Sequence, residues 1–559
     1  MLSSGDWVTA RLDGIPYLEK APLIYWLIAL SYKFFGVTDW AARIPVALSA
    51  ILLALVTAGF ATWAFGKRAG VYAGLSIATC VGLFLFTRIQ IPDVMLTLTI
   101  TLAIWAFLRV FDLEEKRPVL WACVFAASLG VGLLLKSLIA VVFPLGAGLI
   151  YLLFTRQLLV RGTWQKLRPL TSALIILVIA APWHILAMTR NPPYFAFTMH
   201  SIPGEYHGFF WFYFINEQLL RFLNMRYPRD YNTVPRLYFW LLHLIWLFPW
   251  SVYFAAVPKL SFRAVTRAGR TRLMCLCWTG VVLVFFTFST TQEYYSMPCY
   301  PALALLLGSA MALEQNRALR ASRLALAVIC VGCAAAIITI LVLVKSVPTP
   351  GDIASALSYH PGAYKLSLGH MQDLTLASFA YLRSPLALAG LAFLIGAAGN
   401  FLQTGSRAAV ATGLMMVVFF QAARLALVSF DPFLSSRPLA EALKKSPPGR
   451  LIVDHHYYTF SSIFFYTDRT ALLRNGRINN MVYGSYAPGA PEVFIDDAQF
   501  EQLWREPQWS YIVASDSAVP GLEKLAGNAH LNVVARSGGK VLLSNEALPG
   551  AGWGLLDPR

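Results

Sequence analysis

An acid and a base stand side by side at Glu19 and Lys20, just ahead of a long series of apolar runs. Charge at such a border either anchors a chain at a membrane surface or binds an anionic headgroup. Lys20 suits a phosphate group, and Tyr17 joins it in the predicted phosphate-binding set. Glu19 is either the partner of Lys20 or a ligand for a divalent metal.

Two more charged residues interrupt apolar sequence. Asp93 follows Pro92 at the start of one run, and Lys136 breaks another. Proline followed by aspartate is ordinary helix-start chemistry, but ionisable groups beside membrane spans are also functional candidates. Asp93 is therefore the predicted catalytic residue. Lys136 is expected to meet a carboxylate, a helix C-terminus or a phosphate, and a purely structural role stays open for it.

A long aromatic and basic stretch supplies the remaining candidates. Glu217, Arg221 and Arg226 lie within it, and arginine recognises phosphate through its planar fork. The alternative for both arginines is an anchor at the membrane surface. Tyr295 lies in a later polar and aromatic insert, where its hydroxyl could bind a sugar or a phosphate. Tyrosine is also common at membrane interfaces, so that reading stays open too.

These residues must be positioned by membrane helices. The 559-residue chain is 57% hydrophobic and 13% charged, and its mean hydropathy is +0.59. A soluble domain is about 25% charged, so the composition predicts a polytopic membrane protein. The net charge of +17 does not indicate a nucleic-acid partner, because Lys and Arg fall mostly in short loops between apolar runs, which is typical of membrane proteins.

Apolar runs predict about twelve spans, and the short run 22–35 reads better as an interfacial helix. Basic residues cluster in alternate loops, which the positive-inside rule places in the cytoplasm. The predicted spans are 44–65, 69–87, 93–111, 119–135, 137–154, 170–188, 236–257, 273–288, 299–313, 324–345, 385–403 and 408–429.

The following parts are predicted to lie on the outer side of the membrane, opposite the basic loops. They are the juxtamembrane stretch 1–43, loops 189–235, 289–298 and 346–383, and a tail, 430–559, that alternates strand-like and helix-like runs as in a small α/β domain. The membrane part therefore spans 44–429. Because no apolar run ahead of 1–43 carries it across, we expect the chain to start at an internal Met and to lack a leading span.

Several motifs recur in the order known from one family. They are Ser4 to Thr9, Glu19 to Leu23, Ala42 to Pro45, Pro92-Asp93, Lys136, Pro182-Trp183, Glu217 to Phe222, Phe248 to Trp250 and Tyr294 to Pro301. With this set the chain resembles bacterial lipid-to-lipid glycosyltransferases of the aminoarabinose transferase type, which are related to protein O-mannosyltransferases in the type C glycosyltransferase superfamily.

The resemblance implies a multi-pass enzyme of the bacterial inner membrane, with its active site and C-terminal domain in the periplasm. It implies an undecaprenyl-phosphate sugar as donor, and lipid A or another periplasmic glycan or protein as acceptor. It further implies that Lys20 and an arginine of 217–226 hold the lipid phosphate. By the same resemblance, Asp93 is one of a functional carboxylate pair, and Glu19 is linked to a divalent metal.

Three departures qualify the resemblance. Ala21 stands where the family usually has proline, and Gln218 stands where it has histidine after Glu217, which weakens a metal site. The second carboxylate of the pair belongs to an Asp-Glu motif expected before residue 1. Two other functions therefore remain as alternatives: a lipid or glycan transporter that uses the same basic residues, and a truncated inactive homologue.

Overall fold

The computed structural model describes residues 1–229, 234–289, 291–313, 317–360, 371–527 and 531–548. The chain begins with an antiparallel hairpin of β1 (Ala10–Leu12) and β2 (Ile15–Tyr17). Its two turn residues, Asp13 and Gly14, have φ of 49° and 82°. Positive φ at both positions is typical of the tight turn that matches the twist of paired strands.

Helices make up most of the chain after the hairpin. A π-helix at Trp211–Leu220 and 3₁₀ helices at Trp250–Lys259, Glu293–Cys299 and Ile353–Ala356 lie among them. The α-helices of this part are α1 (Leu23–Phe35), α2 (Asp39–Phe65), α3 (Lys67–Ala78), α4 (Val81–Phe86), α5 (Asp93–Val110), α6 (Pro118–Lys136), α7 (Ile139–Phe154), α8 (Arg161–Leu167), α9 (Pro169–Arg190), α10 (Gly208–Phe210), α11 (Arg236–Trp246), α12 (Arg267–Phe288), α13 (Tyr300–Met311), α14 (Arg317–Leu343), α15 (Leu376–Tyr381), α16 (Arg383–Leu402) and α17 (Gly405–Ser429).

Within the described residues, eight helices are long and apolar enough to cross a membrane: α2, α5, α6, α8 continued by α9, α12, α14, α16 and α17. The count rises to nine if α11 and the 3₁₀ helix after it, which meet at 101°, form one span. Twelve predicted spans therefore do not appear as twelve long helices. The predicted spans 69–87, 137–154 and 299–313 contain a helix break, a 16-residue helix and a 12-residue helix.

Local backbone chemistry explains why apolar length overestimates helix length here. The bend between α11 and its continuation falls at Pro249, which has no N–H to donate to a helical ladder. At the break between α3 and α4, a distant segment of the same chain satisfies the backbone, because the N–H of Val81 donates to the carbonyl oxygen of Phe248 at 3.1 Å. Hydropathy counts apolar residues across such breaks without detecting them.

The C-terminal part is an α/β unit, as its alternating runs predict. Its sheet has six strands in the order β5-β4-β3-β6-β8-β7; β3 to β6 run parallel, and β8 pairs antiparallel with β6 and β7. The strands are β3 (Arg450–Asp454), β4 (Leu472–Arg474), β5 (Phe494–Ile495), β6 (Ser510–Ser515), β7 (Asn532–Ser537) and β8 (Lys540–Ser544). The helices are α18 (Asp431–Leu434), α19 (Arg437–Lys445), α20 (Ser461–Thr467), α21 (Met481–Gly484), α22 (Asp497–Trp504) and α23 (Val519–Ala526).

The N-terminal hairpin is held by this α/β unit. Ile15 is buried in the same apolar cluster as Leu439 and Val453. The N–H of Ala471 donates to Asp13 Oδ1 at 3.2 Å. Because Glu19 and Lys20 follow β2 directly, the α/β unit fixes where these two charges meet the membrane helices.

Candidate active site

Seven of the nine predicted site residues line one cavity of about 110 Å³, whereas Tyr17 and Arg226 are not in its wall. It lies where the N-terminus of α5 meets the C-terminus of α6, and the segment after β2 and the π-helix close it. Charged and hydroxyl-bearing residues line it together with the rings of Phe222, Phe285 and Phe286. The predicted residues in its wall are Glu19, Lys20, Asp93, Lys136, Glu217, Arg221 and Tyr295.

Two carboxylates and three cations form a continuous ion-pair cluster at one side of the cavity. Lys20 Nζ lies 2.7 Å from Glu19 Oε1, and Glu19 also lies 3.8 Å from Arg221 and 3.6 Å from Arg226. Glu217 accepts from Arg221 Nη1 at 2.6 Å and from Arg226 Nε. We call these five residues the basic cluster, since they carry one more positive than negative charge.

The basic cluster is buried unevenly. The side chain of Arg226 is 1% exposed, whereas that of Lys20 is 27% exposed. Burial alone would raise the pKa of Glu19, but Lys20, Arg226 and Arg221 outweigh it and hold that pKa at about 2. Glu19 is therefore a carboxylate at any physiological pH, and Lys20 is the most accessible cation of the cluster.

Asp93 and Lys136 form a second, separate ion pair across the cavity wall. Lys136 Nζ lies 2.5 Å from Asp93 Oδ1, and the Asp93 side chain is only 2% exposed. Asp93 opens α5 and Lys136 closes α6, so each charge also has the sign that its helix terminus favours. Of the partners expected for Lys136, which were a carboxylate, a helix C-terminus or a phosphate, the carboxylate is confirmed.

Tyr295 connects the two charged groups. Its hydroxyl accepts a hydrogen bond from Arg221 Nη2 at 2.9 Å, and its ring lies 4.6 Å from Lys136 Nζ. The neighbouring Tyr294 ring lies 5.2 Å from the same ammonium group. The Tyr295 side chain thus contacts both the basic cluster and the Asp93–Lys136 pair.

Tyr17 lies at the edge of this arrangement. Its hydroxyl donates to Glu19 Oε2 at 3.4 Å. It faces a smaller adjoining pocket, which Lys20 also lines, and the wall of the main cavity does not include it. The structure therefore brings Tyr17 to the basic cluster through Glu19.

The residues around Glu19 do not fit a divalent metal. A bound cation would need several oxygen or nitrogen ligands without competing positive charge. Glu19 instead faces Lys20, Arg221 and Arg226, and within the described ranges no group of three His, Cys, Asp or Glu side chains could hold a metal ion. The interpretation of Glu19 as the partner of Lys20 agrees with this geometry.

Among the hydroxyl-bearing residues of the cavity wall, sequence reasoning missed Ser137, Tyr213 and Ser289. Ser137 directly follows Lys136, so the break between α6 and α7 could have drawn attention to it. Tyr213 lies in a run of six aromatic residues, Phe209 to Phe214, which gives no sign of which ring faces the cavity.

Comparison with known proteins supports the resemblance that the motifs indicate. Residues 19–185 match the family model described as dolichyl-phosphate-mannose-protein mannosyltransferase. An undecaprenyl phosphate-α-4-amino-4-deoxy-L-arabinose arabinosyl transferase from Aeromonas salmonicida is 27% identical over 312 residues, which are 55% of this chain and 53% of that protein. One from Sodalis glossinidius is 30% identical over 317 residues, 55% and 52% of the two chains. The chain spans about half the length of the curated relatives it matches.

The fold is shared over nearly the whole chain. The crystal structure of ArnT from Cupriavidus metallidurans in the apo state superposes with a TM-score of 0.76 at 22% identity, covering 98% of this chain and 91% of that one. The structure of the same protein bound to undecaprenyl phosphate gives a TM-score of 0.73 and covers 98% and 92%. The chain is thus similar in sequence to the aminoarabinose transferases and has the fold of ArnT.

Proposed function

We propose that this protein is an integral-membrane glycosyltransferase that moves a sugar from undecaprenyl phosphate to an acceptor such as lipid A, with inversion at the sugar. The observation that carries the proposal is the cavity itself. Its wall combines cations and a tyrosine with the buried carboxylate of Asp93, which are the two chemistries that this transfer requires.

Lys20, Arg221 and Tyr295 are the proposed ligands of the donor phosphate, supported by Arg226 through Glu217. An oxygen of the acceptor attacks the anomeric carbon, and the bond from that carbon to the phosphate oxygen breaks. The electron pair stays on the leaving phosphate, whose growing charge these cations stabilise. A single displacement of this kind inverts the sugar.

Asp93 is the proposed group that orients the acceptor and takes its proton when the acceptor is a hydroxyl. Lys136 holds the Asp93 carboxylate at the head of α5, and the Tyr295 side chain lies between this pair and Arg221 in the chain of contacts. We place the acceptor beside Asp93 and the leaving phosphate beside Arg221, as an in-line displacement needs.

The cavity is proposed to open to the periplasm, and the α/β unit is proposed to lie on the same side. The support is the direction in which α5 runs. Its 18 residues give it a length of about 27 Å. Asp93 begins this helix at the cavity. Just past its other end, Asp112 pairs with Arg267 at 3.0 Å, at the start of α12 and next to one of the basic loops predicted to be cytoplasmic.

The proposed partners follow from the same site. The donor is proposed to be an undecaprenyl-phosphate sugar, because the curated relatives are named for undecaprenyl phosphate-α-4-amino-4-deoxy-L-arabinose. The acceptor is proposed to be lipid A, and the remaining partners are the lipids of the bacterial inner membrane. A multi-pass chain and a cavity beside its helix ends suit two lipid-linked substrates.

Reconstitution tests this function. Purified protein in liposomes would be given that donor together with lipid A, and the sugar on lipid A would be measured by mass spectrometry. Lys20→Ala is expected to abolish transfer at unchanged protein yield, because it removes the most accessible phosphate ligand. Lys444→Ala, at an exposed position of α19, is the matched control. Normal transfer by Lys20→Ala would refute the phosphate role, and donor binding without transfer in the parent protein would favour a transporter.

A further inference from the structure

Three arginines from separate parts of the chain meet at the end of the membrane helices that holds the cavity. Arg43 lies near the start of α2, Arg88 follows α4, and Arg424 lies near the end of α17. Arg43 Nη1 donates to the carbonyl oxygen of Arg88 at 2.9 Å. All three residues are exposed, and we call them the arginine group.

A pair of stacked rings brings Arg88 and Arg424 together. Phe84 of α4 stacks on Phe420 of α17 with ring centroids 4.1 Å apart and planes at 5°. The guanidinium group of Arg88, four residues past Phe84, lies 4.3 Å from the centroid of that ring. Arg424 is four residues past Phe420, and residues four apart share a helix face. Both segments run toward the cavity end, so the two guanidinium groups lie beyond the stacked rings on the same side.

No described carboxylate neutralises the arginine group. Burial and the positive charges of Arg43 and Arg424 lower the pKa of Arg88, and no acid opposes them. Asp39, one turn before Arg43, pairs with Arg437 at 3.8 Å instead. The positive-inside rule gives no reason for arginines here, because this end is proposed to face the periplasm. Three cations held together without an acid favour an anionic ligand.

The arginine group adjoins the active-site cavity along the chain. Ile91, Pro92 and Asp93 are in the cavity wall, and Arg88 precedes Asp93 by five residues. Five residues of extended chain span at most about 18 Å, which bounds the distance between the Cα atoms of Arg88 and Asp93. A sugar headgroup that reacts beside Asp93 can therefore bring a second charged group to the arginines.

We propose that the arginine group binds a phosphate of the acceptor headgroup other than the group that reacts beside Asp93. The inference rests on the proposed function and adds that the acceptor is a lipid whose sugar headgroup carries two phosphates. Guanidinium groups match phosphate oxygens through their planar fork. A phosphate monoester carries up to about two negative charges near neutral pH, which suits several cations better than one.

The test compares two acceptors that differ in one phosphate. Transfer from undecaprenyl phosphate-α-4-amino-4-deoxy-L-arabinose would be measured in liposomes to lipid A with two phosphates and to monophosphoryl lipid A. Arg88→Gln and Arg424→Gln are each expected to raise KM for the bisphosphorylated acceptor roughly 3- to 10-fold, with kcat little changed. Each thereby removes the preference that the unmodified protein should show for that acceptor. Arg407→Gln is the matched control, since Arg407 is exposed on α17 about 26 Å before Arg424.

Each outcome decides the question. Loss of the preference in both variants but not in the control supports the second-phosphate site. An equal rise in KM for both acceptors would overturn it, since the arginines would then attract any anionic lipid or support the fold. Unchanged KM in the variants, or an unmodified protein that does not distinguish the two acceptors, would overturn it as well. If the unmodified protein transfers sugar to neither lipid, the proposed acceptor itself is wrong and the inference falls with it.

Discussion

Breaking the Asp93–Lys136 pair separates a structural role from a functional one. Lys136→Met leaves a carboxylate that is 2% exposed without its cation. Removing one partner of a buried pair costs about 3–5 kcal/mol, and the N-terminus of α5 returns up to about 1 kcal/mol to the remaining carboxylate. We therefore expect a loss of roughly 2–4 kcal/mol in the free energy of unfolding.

The double variant Asp93→Asn with Lys136→Met removes both charges at similar volume. Its stability is expected within about 1 kcal/mol of the parent, because replacing both partners of a buried pair is often close to neutral. Transfer, in contrast, is expected to be abolished, because the proposed acceptor-binding carboxylate is gone.

Unfolding in mixed micelles, titrated with a denaturing detergent, measures the stabilities, and the reconstituted transfer assay measures function. Arg505→Ala is the control, since its pair with Glu501 lies at the surface and should matter little. A double variant that transfers sugar at the parent rate would refute the functional role of Asp93. A Lys136→Met protein as stable as the parent would refute the reasoning about the buried charge.

Two further predictions concern the basic cluster and the hairpin. Tyr295→Phe removes the hydroxyl that accepts from Arg221 and is expected to weaken undecaprenyl phosphate binding roughly tenfold, measured by calorimetry; unchanged affinity would exclude this tyrosine from the phosphate site. Burial raises the pKa of Asp13 to about 6, against the opposing hydrogen bond from Ala471, so the folded protein should lose stability as pH rises from about 4 through 6. Asp13→Asn should flatten that dependence in thermal unfolding, and an unaltered pH profile would contradict the assignment.

The residues of the site were easier to predict from the sequence than the contacts between them. Lys20, Asp93 and Lys136 stand out because charge is scarce beside apolar sequence, and the structure places all three in one cavity. Their pairing could not be read from the sequence, since Asp93 and Lys136 are 43 residues apart. Glu217 could not be assigned either, because only the fold shows that two arginines share its carboxylate.

The helical class of the fold followed from composition, but the number of spans did not. Hydropathy sums over a window and cannot see that Pro249 ends a helix or that α13 has only 12 residues. Ser137 shows the same limit at the site. It adopts a backbone conformation that favours glycine, and no residue type near it in the sequence indicates that conformation.

The charge balance of the basic cluster explains how its three cations can be held close together before a phosphate binds. Three cations alone would repel one another in a buried wall, and two carboxylates, Glu19 and Glu217, assemble them in advance. The charges of these five residues sum to +1, and a phosphodiester such as a sugar-linked polyprenyl phosphate carries one negative charge. The leaving phosphate gains a second negative charge. Lys20 is the most exposed cation of the cluster, so it is the one whose side chain can shift toward that charge. On this argument Glu19 and Glu217 act by positioning cations, and their loss should weaken phosphate binding even though both are acidic.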